Sequence, residues 1–203
     1  MNFNKHSDLE GKHAFLGASK YSWLNYTKDK LREVYINELA KERGTILHAF
    51  ASDAIKLRIK LWGKSTIALF VNDAIANDMA SEIVLRYSDN CFGTADAISC
   101  GIERRRNEDG KFYKRKTLRI HDLKTGNTKA SEKQLLIYAA LYCLEYREDP
   151  KNLYIELRIY QYDTAAIYIP VPEEIQEIMD LIVEFDDVIE DIRRRYLYNV
   201  YNL

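Results

Sequence analysis

The chain has 203 residues, of which 47% are hydrophobic and 30% charged, a composition typical of a globular protein rather than a disordered or collagen-like one. No apolar run in the sequence approaches the ~20 residues of a membrane span, and residues 1–6 contain no apolar signal segment. The three cysteines, Cys91, Cys100 and Cys143, form no C-x-x-C pair. We therefore expect a reduced, cytoplasmic protein rather than a disulfide framework or a zinc ribbon.

The net charge of −1 conceals an uneven distribution along the chain. Residues 91–133 contain eleven Lys and Arg against six Asp and Glu, whereas residues 134–203 contain six against fourteen. A basic segment attracts polyanions, and an acidic one usually faces solvent or a basic partner. Two ordinary solvated surfaces would explain the same distribution.

The spacing of apolar residues and the capping residues predict the elements in chain order. Three helical stretches are predicted first: residues 21–26 after Ser19, residues 30–61 with a break at Gly44 and Thr45, and residues 66–79 after Ser65. Six strands are predicted from alternation and turn residues: 82–87, 91–100, 102–106, 111–123, 153–162 and 165–169, with Asp109 and Gly110 in a hairpin turn. Further helices are predicted over residues 131–146 and from Pro172 onward. No internal repeat or break in composition divides the chain, so a single α/β or α+β domain over residues 1–203 is expected.

Two carboxylates stand in unusual places on the predicted strands. Asp122 and Lys124 end the segment LRIHDLKTG, and strand alternation puts both on one face, about 6–7 Å apart. They form either a surface ion pair worth about 1 kcal/mol at most or part of a site. Asp96 interrupts a strand of small and apolar residues and needs a partner there. That partner is either a set of backbone amides or a divalent cation shared with Asp122.

Three polar residues on predicted helices are further candidates. Gln134 and Tyr138 are four residues apart, so they share one helical face. They either pack on the helix surface or hold a phosphate or the lysine. His48 lies at the edge of an apolar stripe, where an imidazole is either a core residue or a metal ligand.

In chain order, these pieces form four motifs: GTxxH ending at His48, GTAD ending at Asp96, DLKTG beginning at Asp122, and QxxxY from Gln134 to Tyr138. The series resembles the PD-(D/E)XK nuclease superfamily and, within it, the RecB-like exonuclease branch. The LGAS segment at residues 16–19, with Trp23, resembles the opening of a phage family of stand-alone nucleases in that branch. The resemblance extends from about His13 to Tyr142, and four motifs in this order are far more specific than D-x-K alone.

The resemblance implies a restriction-endonuclease-like α/β core, with a central mixed sheet flanked by helices, and a metal-dependent deoxyribonuclease. The function expected is that of a phage exonuclease in DNA recombination or processing, located in the host cytosol if phage-encoded. It implies four metal ligands: His48, Asp96, Asp122 and the main-chain carbonyl of Leu123. Lys124 would orient or deprotonate the attacking water, and Gln134 and Tyr138 would steady the site and the substrate phosphate. These oxygen and imidazole ligands suit Mg²⁺ or Mn²⁺, and no iron–sulfur cluster is expected from three cysteines without the required spacing.

Basic residues cluster on the predicted hairpin between the two acidic motifs. Those expected to contact DNA phosphates are Arg104, Arg105, Arg106, Lys114, Arg115 and Lys116. Phe112 and Tyr113 would stack on bases, and a solvated charged hairpin is the alternative. The partners expected are DNA and, additionally, a recombination or single-strand-binding protein, with no membrane.

Two other functions are weighed against the nuclease. One is a catalytically inactive nucleic-acid-binding or regulatory protein on the same fold, which would not need His48, Asp96, Asp122 and Lys124 together. The other is an adaptor that acts through the acidic carboxy-terminal helix.

Overall fold

The computed structural model describes residues 4–106 and 109–201, and the side chains of residues 198–201 lie outside the description. The chain divides into two compact units, Met1–Arg43 and Gly44–Leu203. The first unit contains 3₁₀ segments at Ser7–Leu9 and Ala18–Asn25 and the first part of helix α1, Lys28–Lys56. Everything described below lies in the second unit unless stated otherwise. None of the described helices is long and apolar enough to cross a lipid bilayer.

Two details of the helix predictions for the first part of the chain are wrong. The short helix predicted over residues 21–26 is present as a 3₁₀ helix, Ala18–Asn25, but Ser19 lies within it, and its N-cap is Gly17, without a side-chain cap. Helix α1 runs without interruption through Gly44 and Thr45, where a break was predicted. A single glycine costs a helix only about 1 kcal/mol, which the rest of a 29-residue helix outweighs.

The remaining elements follow the sequence pattern closely. Helix α2 is Thr66–Ala76, and the Ser65 side chain accepts a hydrogen bond from the Ala68 amide, as its predicted cap should. The strands and later helices are β1 Ala80–Arg86, β2 Phe92–Arg106, β3 Phe112–Leu123, α3 Lys133–Tyr146, β4 Leu153–Gln161, β5 Thr164–Tyr168 and α4 Pro172–Tyr201. The two strands predicted over residues 91–106 are one, and the hairpin turn adjoins residues 107–108, which lie outside the described residues.

The five strands form one mixed sheet in the order β1-β2-β3-β4-β5. Strands β3 and β4 are parallel, and the other three pairs are antiparallel. A parallel pair requires a crossover connection, and here it contains α3. The predicted α/β class with a mixed sheet flanked by helices is thereby confirmed.

Two apolar clusters cover the sheet. The cluster with α3 and α4 includes Leu118, Ile120, Leu135, Leu141, Leu157 and Ile175. The cluster with α2 and the last turns of α1 includes Ala51, Phe70, Val71, Leu123 and Tyr160. Because Leu123 belongs to the second cluster and Ile120 to the first, the end of β3 is packed from both sides.

Strands β1 and β2 change faces at Glu82 and Asp96. Leu85 and Ala95 pack in the cluster with α3, but Ala97 packs in the cluster with α2, and Ser81 bonds to Ser52 of α1. Strict alternation would keep Ala95 and Ala97 on one face. Glu82 has φ +56°, a left-handed conformation that is rare for residues other than glycine and that breaks the alternation. The two strands stay in register across this point, so both change faces together.

Candidate metal centre

Asp96 and Asp122 come from neighbouring antiparallel strands. Ala97 of β2 pairs with His121 of β3, so the next facing position along the ladder places Asp96 across from Asp122. The Leu123 amide donates a 2.8 Å hydrogen bond to Oδ2 of Asp96. The two acidic motifs, 26 residues apart in sequence, therefore meet at one end of the sheet.

A chain of hydrogen bonds connects Asp122 to α3 through Lys124. The Lys124 ammonium donates to Oδ1 of Asp122 at 3.0 Å and to Oε1 of Gln134 at 2.7 Å. The Gln134 side-chain amide in turn donates to the Tyr138 hydroxyl at 2.8 Å. The structure thus brings together all four residues of the D-x-K and Q-x-x-x-Y motifs, and each orients the next.

Asp122 is buried with one carboxylate oxygen lacking a partner. Asp122 is 3% exposed. Nζ of Lys124 lies 3.0 Å from its Oδ2, but the geometry is unsuitable for a hydrogen bond, and Oδ2 accepts none from any described residue. Burial raises the pKa of Asp122, the nearby Asp96 charge raises it further, and Lys124 opposes both. An unsatisfied buried oxygen costs about 1–3 kcal/mol, which a cation bound there would offset.

His48 reaches the same place from α1. Its Nδ1 lies 3.3 Å from Oδ1 of Asp96, and this contact raises the pKa of His48, although burial opposes it. Gly44, one turn earlier, has a second role: a β-carbon there would lie 3.0 Å from Oγ1 of Thr125. The helix thus packs against the Thr125 of the D-x-K-T-G motif and holds His48 beside Asp96.

Glu82 is a candidate ligand that the sequence analysis missed. One oxygen each of Glu82 and Asp96 and one ring nitrogen of His48 all lie within 4.8 Å of one another. Burial raises the pKa of Glu82, and the Asp96 charge adds to the effect. As the first residue of a predicted strand, Glu82 resembled an ordinary surface residue. The signal was its register position opposite Asp96, which only the pairing of β1 and β2 establishes.

His121 lies next to Asp122 in sequence but belongs to the other face of the sheet. It is fully buried, its Nδ1 is 3.3 Å from the Tyr160 hydroxyl, and burial with nearby Arg158 lowers its pKa to about 3. The Tyr160 hydroxyl donates to Asp73 of α2 at 2.7 Å. This neutral histidine therefore packs the end of β3 from behind and is not a candidate ligand.

The basic residues of the hairpin are divided between its two faces. Arg105 and Arg115 stack on the Tyr154 ring, at 3.3 and 5.9 Å from its centroid, and Arg115 also donates to the Leu153 carbonyl. Lys116 forms an ion pair with Glu148. These three predicted phosphate contacts are engaged within the protein.

Arg104, Arg106 and Lys114 are exposed and lie on the face of the hairpin opposite Arg105 and Arg115. Arg104 and Lys114 face each other across the ladder, and Arg104 stacks 4.1 Å from the Phe112 centroid. Arg106 donates to the Gly110 carbonyl at 3.0 Å. Lys114 is eight residues from Asp122 along β3, about 26 Å at the usual strand rise.

No family model matches the chain, and neither a curated protein nor a solved structure matches it. Function is therefore inferred from the motifs and from the chemistry of the site. Carboxylate oxygens with one imidazole form a donor set that suits Mg²⁺ or Mn²⁺ better than thiolate-seeking metals.

Proposed function

We propose that this chain is a metal-dependent deoxyribonuclease of the RecB-like branch of the PD-(D/E)XK superfamily, with a restriction-endonuclease-like core. It would hydrolyse DNA phosphodiester bonds as an exonuclease in phage DNA recombination or processing. The observation that carries the proposal is Asp122: a buried carboxylate paired with Lys124, with Asp96 beside it and one oxygen that accepts no hydrogen bond from a described residue.

The residues present fit a divalent cation. His48, Glu82 and Asp96 each offer a ligand atom within 4.8 Å of the others and would hold it. Asp122 and the Leu123 carbonyl would complete the set that the resemblance implies. When bound, Mg²⁺ or Mn²⁺ would lower the pKa of a coordinated water and neutralise charge on phosphate oxygens. Burial and the nearby Asp96 charge raise the pKa values of both Glu82 and Asp122, and this clustering of negative charge gives an electrostatic reason to attract a cation.

Lys124 supplies the positive charge that belongs to the protein itself. Its ammonium would orient the attacking water and donate to the phosphate oxygens as negative charge develops on them. Gln134 accepts one of its hydrogens, so the amine is fixed before substrate arrives. The Tyr138 hydroxyl accepts a hydrogen bond from the Gln134 amide and holds that amide in place. Tyr138 therefore positions Lys124 indirectly, through Gln134.

The rival function is a DNA-binding or regulatory protein that keeps this fold without cleaving. Such a protein would gain nothing from a buried carboxylate that costs stability. Under this alternative, DNA would bind equally well with and without Mg²⁺, and cleavage would not occur.

The decisive experiment is cleavage of end-labelled linear and covalently closed DNA with Mg²⁺, Mn²⁺ or EDTA, beside RNA of the same sequence. Metal-dependent loss of linear DNA alone supports the exonuclease, and nicking of the circle indicates endonuclease action. Asp122→Asn, prepared identically, shows whether activity belongs to this chain. Asp78→Asn is its matched control, because Asp78 is an exposed carboxylate that pairs with Arg58. Cleavage that survives Asp122→Asn would refute the proposal.

A further inference from the structure

Helix α4 carries an apolar stripe that continues beyond the residues packed in the cluster with α3. Its members are spaced alternately by three and four residues, the pattern of a coiled-coil seam: Ile175, Ile178, Ile182, Phe185, Ile189, Ile192 and Tyr196. The first three pack in the cluster with α3. The last four are 42–68% exposed, and Leu181, Val188 and Leu197 beside them are also exposed.

This exposed section, which we call the α4 stripe (residues 181–197), is held in place rather than frayed. The Asn90 side-chain amide donates to both Asp186 and Glu190 at 2.8 Å, and its oxygen accepts from Arg193. Ser88 also donates to Asp186. Beside the stripe lies a groove of about 670 Å³, whose walls include Leu136 and Ile137 of α3. Exposed apolar surface of this extent on a fixed helix is typical of an interaction site.

The charges along α4 indicate what covers the stripe. Residues 173–191 contain nine acidic and no basic residues, and after Ile192 they are followed by Arg193, Arg194 and Arg195. Two parallel copies of this helix would place acidic segment against acidic segment. Two antiparallel copies, overlapping along the stripe, would place the three arginines of each beside residues 184–187 of the other.

We propose that a second copy of this chain packs on the α4 stripe, with the two α4 helices antiparallel about a two-fold axis. Such an isologous contact closes on itself, so it produces a dimer and no larger assembly. Seven half-exposed apolar side chains at about 90 Å² each would bury about 1,200 Å² in total, at the lower end of stable interfaces. The dimer is therefore expected to dissociate in the micromolar range.

The first test is sedimentation equilibrium of the full chain between about 1 and 100 μM. Wild-type protein is expected to shift from monomer to dimer within this range. Ile192→Glu places a charge in the seam and should weaken association by about 100-fold. Ile167→Glu is the matched control, because Ile167 on β5 is 57% exposed against 60% for Ile192, and it should still dimerise. Both substitutions replace exposed side chains, and circular dichroism will verify that the fold is retained.

The second test reverses charges to determine the direction of the helices. Arg194→Glu with Arg195→Glu in one chain, and Glu184→Lys with Asp187→Lys in another, should each weaken self-association. Mixing the two chains should restore a heterodimer, because the antiparallel pair then matches again. A wild-type monomer throughout the range, a dimer unaffected by Ile192→Glu, or an absence of rescue would each overturn the proposal. The first outcome would assign the stripe to a helix of another protein.

Discussion

A β-carbon added to Gly93 would lie 2.8 Å from Cε1 of Tyr138. Strand β2 thus approaches α3 so closely that the motif glycine is required by packing. The same contact fixes the ring whose hydroxyl accepts from Gln134, and Gln134 holds Lys124. Two motifs that appear independent in the sequence are therefore mechanically connected.

Gly93→Ala should consequently impair both stability and activity. Overpacking at such a contact typically costs about 1–3 kcal/mol, and displacement of Tyr138 would release the Gln134–Lys124 chain. Gly101→Ala on the same strand is the control, since nothing lies within 4 Å of a β-carbon there. Urea denaturation and cleavage rates measured on both variants test this. Equal free energies of unfolding for the two variants would show that α3 moves to accommodate the added methyl group at little cost.

Asp122→Asn should make the metal-free protein more stable at neutral pH while abolishing cleavage. The pKa of Asp122 in the folded state is raised above its ordinary value of 3.8, chiefly by burial. The folded protein therefore holds this proton more tightly than the unfolded chain does. Ionisation of Asp122 therefore destabilises the folded protein. This destabilisation is absent below pH 3.8 and is fully present above the raised pKa.

The stability difference between Asp122→Asn and wild type should thus grow as pH rises through that window. Thermal unfolding in EDTA at several pH values measures it. Added Mn²⁺ should raise the melting temperature of wild type and not of the variant. A variant less stable than wild type at pH 7 would instead mean that the pair with Lys124 outweighs the burial of Asp122.

Lys124→Met should retain Mn²⁺ binding and lose turnover. The methionine removes a positive charge that competes for Asp122, so the affinity for Mn²⁺ should stay equal or increase, while the rate falls about 100-fold or more. Gln134→Leu should lower the rate less, since the amine remains but is no longer fixed. Calorimetric titration with Mn²⁺ separates the two effects, and loss of binding in Lys124→Met would make the lysine a structural partner of Asp122.

Glu82→Gln should weaken metal affinity with little change in fold. Its carboxylate lies near Asp96 and His48, and removing the charge deletes one of the groups that attract the cation. The glutamine keeps the side-chain length and has no reason to disturb φ at residue 82. Mn²⁺ affinity from the same titration should fall about 10–100-fold, the range typical when support for a metal site is removed. An unchanged affinity would limit the ligand set to His48, Asp96 and Asp122.

The two faces of the hairpin should respond differently to neutralisation. Arg104→Ala with Lys114→Ala should weaken binding to every DNA sequence alike and flatten the slope of log K against log salt by about 0.9 per lost contact. Arg105→Ala with Arg115→Ala removes the stacking on Tyr154 and should mainly reduce stability. Binding measured in Ca²⁺ at several salt concentrations compares them. A slope unchanged from wild type in Arg104→Ala with Lys114→Ala would assign the hairpin to solvent or to a protein partner.

Local signals in the sequence sufficed for much of the fold. The Ser65 cap and Pro172 located the starts of α2 and α4, and the position of Asp122 and Lys124 at a strand end followed from alternation. The i, i+4 spacing of Gln134 and Tyr138 likewise indicated a shared helical face, and their side chains do meet. Each of these features depends on residues within a few positions of one another.

What could not be predicted depends on partners far along the chain. Helix α1 continues through Gly44, and close packing against Thr125, 81 residues later, uses the missing side chain. Glu82 becomes a candidate ligand only because β1 pairs with β2. The basic hairpin is divided because Tyr154 of β4 lies beneath Arg105 and Arg115, which no local pattern reveals.

The change of faces at Glu82 and Asp96 has a consequence for how the sheet tolerates mutation. On β1, Ser81 and Leu85 are both buried but against different helices. On β2, Ala95 and Ala97 are likewise both buried, in different apolar clusters. In a saturation mutagenesis scan, sensitive and tolerant positions should alternate every second residue along each strand. That alternation should shift by one residue at Glu82 in β1 and at Asp96 in β2. Inserting or deleting one residue on either side would restore an ordinary strand only by moving a carboxylate out of the cluster. The irregular conformation of the two strands and the position of the site's carboxylates therefore depend on each other.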